Sequence, residues 1–415
     1  MKYNYIFSLA VFYLLISCAG GSKASENADA IAYEDDQSPI YIFLEDILQK
    51  EGAEPLSSAV SEIVYIPLET KNYSLLRSIN RIEYLNGKYI VSDGNNIYLF
   101  NQEGKYIKRV AQQGGGPSDY PTPNIHNIIV DPVTNHFYLF AYYKVIKFDE
   151  NVIFLNNFQI EDIGIEQTFP TGIFTPHNTI MLGLPNHVRQ YDDTTEIYNA
   201  LEVDTLGYII NKYINLSPRY AQMRGGHISS DVTSLYVFNN DIRFIDFGND
   251  SIFSIEDDSM IPYAVLDLGK KKTNLIIDVP LDNPQKGIEF IKNMKGHTIR
   301  NIVENDIFLF ICLTKNGPDG ELINCLYNKS TKELKLLKNN SMLNDLDGGS
   351  SFFPKKTFED NVLIDWKSAE EFKEEILSKD YNSQKAKYGE RFEKVYQLAK
   401  SLLEDDNPVL IIAKK

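Results

Sequence analysis

Three of the six histidines in this chain, His126, His227 and His297, stand at or just before runs that read as the first strand of a β-meander. Imidazoles arriving at one place from three separate meanders can hold a divalent metal such as Zn²⁺, with Zn–N bonds of about 2.0–2.1 Å. Nearby Arg224, Asp231 and Arg300 can supply charge or hydrogen bonds to an anionic or sugar ligand. The plainer reading of a histidine at the start of a strand is a polar cap facing solvent. The favoured expectation is therefore a ligand-binding mouth made by His126, His227, His297, Arg224 and Arg300, with no cofactor. A metal centre on the three histidines is the alternative.

Other chemistry is sparse. No G-x-S-x-G elbow, H-E-x-x-H, C-x-x-C or P-loop occurs, so no nucleophile–base pair announces itself. Gly114-Gly115-Gly116-Pro117 is followed by no Lys-Ser/Thr and no helical pattern, which leaves it as a crossover that uses permissive glycine backbone. The acidic runs Glu256-Asp257-Asp258 and Glu370–Glu375 lack the alternating spacing of a calcium loop and read as solvated faces. Cys312 and Cys325 flank the turn signal Asn316-Gly317-Pro318-Asp319-Gly320. A four-residue loop would set them opposite each other and permit a disulfide; otherwise they are two buried thiols.

The third cysteine has a different meaning. Lys2 and the apolar run Tyr5–Ile16 lead to Leu15-Ile16-Ser17-Cys18, which matches the bacterial lipobox. The run is shorter than the roughly 20 apolar residues a membrane span needs. Residues 1–17 are thus expected to be a lipoprotein signal peptide and Cys18 the acylated anchor, holding the protein to a membrane. Residues 18–40, small, polar and acidic, read as a flexible tether.

The elements that must position the histidines are strands. Lys88–Ser92, Ile97–Phe100 and Lys105–Val110 are rich in Ile, Val, Tyr and Phe, and Asp-Gly-Asn-Asn, Gln-Glu-Gly and Gly-Gly-Gly-Pro separate or end them. Further meanders follow at Ile125–Phe158, Thr168–Ile214, Val232–Asp267 and Ile299–Leu337, with a partial one at Ser351–Ile364. That predicts an all-β, six-bladed β-propeller over residues 41–415. A helical insertion interrupts it at about 368–405, opened by the capping box Ser368-Ala369-Glu370-Glu371. One further helix is predicted to carry Tyr388, Phe392, Val395, Tyr396, Ala399, Leu402 and Leu403 on one face. Two lone strands remain, Glu62–Leu68 and Val409–Ala413. Pairing them closes the ring within one blade and hides both edges.

Tyr89, Ile90, Val91, Asp93, Asn95, Ile97, Phe100, Gly104, Tyr106, Gly114 and Tyr120 follow the order of an NHL-type propeller repeat, which the stretch resembles. The opening Glu-Ile-Val-Tyr-Ile-Pro-Leu-Glu-Thr and closing Asn-Pro-Val-Leu-Ile-Ile segments look like those of the six-bladed propeller lipoproteins abundant in gut Bacteroidota. That resemblance implies architecture and a cell-envelope location, without an assigned activity; the outer membrane is expected because Ala19, and not an inner-membrane-retaining Asp, follows Cys18. The resemblance also points weakly to the periplasmic face, because Ala19-Gly20-Gly21-Ser22-Lys23 lacks the acidic run of the surface-exported members. Some six-bladed propeller lyases and lactonases bind metals at the channel mouth, which is what the alternative reading would require.

Net charge is −16, which argues against nucleic acid or an anionic membrane surface as partner. The function expected is an anchored binding or scaffold module for a glycan, peptide or protein. The alternative is a metal-dependent propeller hydrolase or lyase, using Zn or Ca at the channel mouth.

Overall fold

Three strands at the start of the chain, β1 (Ile40–Phe43), β2 (Glu51–Gly52) and β3 (Glu62–Pro67), each join a sheet built by residues far downstream. The computed structural model describes residues 39–45, 51–121, 127–141, 144–161, 169, 171–184, 198–214, 234–245, 250–256, 259–273, 289, 292–317, 320–359 and 361–415. His126, His227, Arg224, Asp231 and Cys18 lie outside the described residues.

Six sheets follow one another. Blade 1 is β4 (Arg81–Leu85), β5 (Lys88–Ser92), β6 (Ile97–Asn101) and β7 (Tyr106–Ala111). Blade 2 is β8 (Asn127–Asp131), β9 (His136–Ala141), β10 (Lys144–Phe148) and β11 (Phe154–Phe158). Blade 3 is β12 (Thr171–Phe174), β13 (Ile180–Gly183), β14 (Tyr198–Val203) and β15 (Ile209–Ile214). Blade 4 is β16 (Ser234–Phe238), β17 (Asp241–Ile245), β18 (Ser251–Glu256) and β19 (Ser259–Asp267). Blade 5 is β20 (His297–Glu304), β21 (Phe308–Lys315), β22 (Glu321–Asn328) and β23 (Leu334–Leu337). Blade 6 is β24 (Lys356–Glu359), β25 (Val362–Lys367) and β26 (Val409–Lys414), completed by β3.

The predicted closure is present. β26 pairs antiparallel with β3, Lys414 opposite Glu62 and Val409 opposite Pro67. The first strands of successive blades touch in series. Lys356 on β24 closes that inner circle by donating to Ile82 O of β4 at 3.2 Å and pairing with Glu83.

Local chemistry explains the meanders. Asn86-Gly87 and Asn239-Asn240 join first to second strands in blades 1 and 4, all four with positive φ, as a two-residue hairpin requires. In the third-to-fourth turn one Asx oxygen gathers the backbone. Asn101 Oδ1 accepts from Lys105 N at 2.8 Å, Asp149 Oδ1 from Ile153 N at 2.7 Å, and Asp204 Oδ1 from Tyr208 N at 2.9 Å.

Hydrophobic packing lies between blades. Among the described residues each junction has its own cluster: Ile90, Leu99, Ile128 and Phe148 between blades 1 and 2, for instance, and Ile245, Leu266, Leu309 and Ile311 between blades 4 and 5. A blade is therefore buried on both faces. This is why central strands such as Ile180–Gly183 are buried without a break and read as apolar runs instead of alternating.

Three features differ from the sequence reading, and the choice left open between a disulfide and two thiols is resolved. Blade 1 begins one strand earlier, at β4. β1 and β2 add parallel fifth strands to blades 4 and 5. The insertion holds three helices, α1 (Ala369–Leu377), α2 (Tyr381–Tyr388) and α3 (Glu390–Ser401), because Gly389 at φ +64° ends α2 before α3 begins. Ser368 does form the capping box at α1. The β21–β22 loop is one residue longer than a four-residue loop, so Cys312 faces Asn324 and Cys325 faces Ile311. Adjacent positions on a strand point to opposite faces, so both thiols are free.

Candidate functional site

An antiparallel four-stranded meander places two kinds of connection at one end of its sheet: the link between second and third strands, and the crossover into the next blade. In this chain the crossovers are the long ones, joined by the second-to-third links of blades 3 and 6, while the other four such links are short. Crossovers of 12 to 29 residues lead into the first strands of blades 2 to 6, whereas turns at the opposite end have two to five residues. The helical insertion joins β25 to β26 at the crossover end of blade 6.

His297 is the first residue of β20, at this end. Its Nδ1 lies 3.3 Å from Lys271 O, and its own carbonyl accepts from Thr273 N at 2.9 Å. Burial, with Lys315 and Lys271 nearby, holds the imidazole below its ordinary pKa, so it is neutral at pH 7. Arg300 is exposed at an irregularity where β20 slips against β21 between Ile299 and Asn301. Its charge is felt at Cys312, as is that of Lys355. Lys355 is paired with buried Asp365 at 2.8 Å and lies 4.9 Å from the ring centre of Trp366. Asn301 Nδ2 donates to Lys355 O at 3.0 Å, joining blades 5 and 6. The inner start of blade 5 thus carries a polar, hydrogen-bonding edge with one exposed arginine. It can meet an anion or a hydroxyl-rich ligand.

Among the described residues no three His, Cys, Asp or Glu side chains come together as metal ligands. The crossover Gly114–Tyr120 is a structural junction. Lys144 of blade 2 donates to Gly116 O at 2.9 Å and Asp119 O at 2.8 Å, and Asp119 Oδ2 accepts from Gly116 N at 2.9 Å. Its glycines do not serve a left-handed backbone: a Cβ would stand 2.4 Å from the Asp119 carboxylate at Gly114 and 2.8 Å at Gly116, so close approach is what favours glycine at these two, while Gly115 is in open space. The two thiols are unreactive by environment, burial pushing Cys312 up to about 11 and Cys325 up to about 12.

Two buried polar clusters were not visible in the sequence, because their members are distant in the chain. Glu304, fully enclosed between blades 4 and 5, accepts from Tyr263 Oη at 2.8 Å, Tyr236 Oη at 3.0 Å and Lys329 Nζ at 3.0 Å. Burial and the Glu304 charge push both phenols well above their ordinary pKa. Arg243 stacks on Tyr263, 4.1 Å from its ring centre. The second cluster binds the insertion to blade 6. Tyr65 Oη donates to Asp347 Oδ1 at 3.1 Å, and Asn344 Nδ2 donates to Tyr65 Oη at 2.9 Å. Glu375 of α1 accepts from Ser350 Oγ, Ser351 N and Lys367 Nζ. The carboxylates of both clusters are satisfied by these partners and act as locks between elements.

The sequence matches the family described as a domain of unknown function, DUF4934, over residues 40–414. No match is found among curated proteins. Among solved structures, a protein from Bacteroides fragilis described as exported superposes with a TM-score of 0.62 at 17% identity, covering 91% of this chain and 99% of that one. A member of the DUF4221 family from Bacteroides vulgatus gives 0.48 at 13% identity, covering 86% and 97%. At 17% identity the first likeness is one of fold.

Proposed function

Because the chain belongs to the DUF4934 family, whose function is unknown, it inherits no activity, and we propose that it is an envelope propeller lipoprotein acting as a binding or scaffold module. Cys18 anchors it, and the crossover end of the ring meets a glycan, peptide or protein. The observation that carries this reading is the asymmetry of the connections. Chain length beyond what joining adjacent strands requires is spent at one end, where His297, Arg300 and the helical insertion also lie. Loops on a rigid scaffold are where recognition residues concentrate. The buried carboxylates Glu304 and Glu375 are committed to holding blades and helices together. The exported B. fragilis protein of the same fold supports an envelope address.

The test is a binding screen of the purified protein against glycan and peptide libraries, with hydrogen exchange to map any contact. Protection confined to the crossovers and the insertion supports the reading. Protection at the short-turn end overturns the choice of face. Equimolar zinc in the purified protein, lost on His297→Ala, would replace the binding reading with the metal-dependent hydrolase or lyase.

A further inference from the structure

β1 is the outermost strand of blade 4. It pairs on one side with β19, Ile40 opposite Ala264 and Phe43 opposite Asp267, and among the described residues no strand lies on its other side. Ile42 is buried, but Tyr41 and Phe43 are each 59% exposed. Strand pairing explains Ile42. It does not explain two outward aromatics on a free edge, a position that soluble sheets commonly protect with charge.

The end of β1 stands beside three lysines, Lys270, Lys271 and Lys272, interleaved with Glu45, Asp250 and Asp267. Leu44 N donates to Asp267 O at 2.8 Å, and Lys271 Nζ donates to Glu45 O at 2.6 Å. This seats the end of β1 against Gly269-Lys270-Lys271-Lys272. Lys272 is paired with Asp250, and Lys270 is exposed. Aromatic side chains beside lysines are the composition that favours a lipid headgroup layer.

We propose that this rim of blade 4, through Tyr41, Phe43 and Lys270, docks on the phospholipid surface that carries the acylated Cys18. The inference rests on the anchored reading above. Residues Ala19–Ser38 separate Cys18 from Pro39, where the described fold begins, immediately before β1. Twenty residues span at most about 70 Å even when fully extended. The rim is therefore held at high effective concentration beside the bilayer, and a weak contact suffices. Docking stops at headgroup depth. The free N–H and C=O groups of the β1 edge find partners there and none in hydrocarbon. Contact through the rim leaves both ends of the ring open to other partners.

The experiment uses the acylated protein carrying Phe43→Trp, in vesicles of phosphatidylethanolamine and phosphatidylglycerol with bromine placed high on the acyl chains. Docking predicts strong quenching of the added emission. Trp366, the one native tryptophan, is measured in the parent protein and stays unquenched. Adding Tyr41→Ser and Lys270→Glu should remove most of the quenching, with an unchanged melting curve as the folding control. If the introduced indole stays unquenched in protein that carries labelled palmitate, docking is overturned and the anchor stands. Quenching of that indole in protein without palmitate supports docking and overturns the anchor, and loss of both overturns both.

Discussion

Glu69 donates its backbone N–H to the carbonyl of Gly104 at 2.8 Å, across the junction where blade 6 meets blade 1. Its carboxylate accepts from Tyr106 N at 3.1 Å. The same arrangement recurs between blades 2 and 3, where Glu161 N donates to Gly207 O at 3.0 Å and Glu161 Oε2 accepts from Ile209 N at 3.2 Å. In both places the turn leading to an outer strand is docked on the end of the preceding blade's outer strand.

This docking leaves no room for a side chain. Gly104 has φ +77°, and a Cβ there would stand 2.3 Å from Pro67 O. Gly104→Ala must strain the backbone and push two blades apart, so it should cost about 2–3 kcal/mol. Urea unfolding measures it. Gly87, also at positive φ but with its nearest neighbour 3.9 Å away, is the control and should lose about 1 kcal/mol. Equal losses at the two sites would show that the junction contributes nothing beyond backbone strain.

Val152 occupies in blade 2 the turn position that Gly104 and Gly207 hold in blades 1 and 3. Its φ is +61°, a region that a β-branched residue enters only under strain. Its side chain packs only at the margin of the core between blades 1 and 2. Strain relief should exceed the packing lost, so Val152→Gly is expected to stabilise the protein by about 0.5–1 kcal/mol. A lower urea midpoint would mean that packing wins.

The sequence could be read furthest where structure is local or forced by an edge. Asn-Gly and Asx turns mark the blades, and two strands without neighbours, Glu62–Leu68 and Val409–Ala413, had to find each other. It could not be read where pairing is remote. Ile40–Phe43 is not marked as a strand in the sequence because nothing nearby reveals Ala264 as its partner. The Cys312–Cys325 register turned on a single loop residue. Of the candidate site, Arg300 and His297 fall where strand counting puts them, at the inner start of blade 5. Glu304 and Asp347 went unnoticed because Tyr236 and Tyr65, which satisfy them, are about 70 and 280 residues away.

Glu375 gives the attachment of the insertion a pH dependence. Burial opposes its charge, but Lys367 and the donors Ser350 and Ser351 outweigh burial and hold the carboxyl below its ordinary 4.5. A carboxylate with a lowered folded-state pKa contributes stability that is present above about pH 4.5. It is lost as pH falls through the folded value. Glu375→Gln should therefore cost about 2 kcal/mol at pH 7, and the difference from the parent should shrink as pH falls below about 4.5. A difference that is constant with pH would show that the ion pair is not what fastens α1.

Deleting Pro408–Lys415 removes β26, the third strand of blade 6, which pairs with both β25 and β3. Its side chains alternate between two junctions. Leu410 and Ile412 enter the packing between blades 6 and 1, and Ile411 and Ala413 that between blades 5 and 6. Val409 packs under the helices. Four buried aliphatic side chains at about 1.5–3 kcal/mol each approach the whole stability of an ordinary domain, about 5–15 kcal/mol. The truncated chain also leaves β3 and β25 with open edges that favour association. It should therefore lose its cooperative thermal transition and aggregate. Removing only Lys414 and Lys415 spares the buried residues and should change little, since Lys414 meets Glu62 at 3.2 Å in an exposed pair. If the longer deletion melts like the parent, the ring is not held shut by its two ends, and blade 6 must be closed by other contacts.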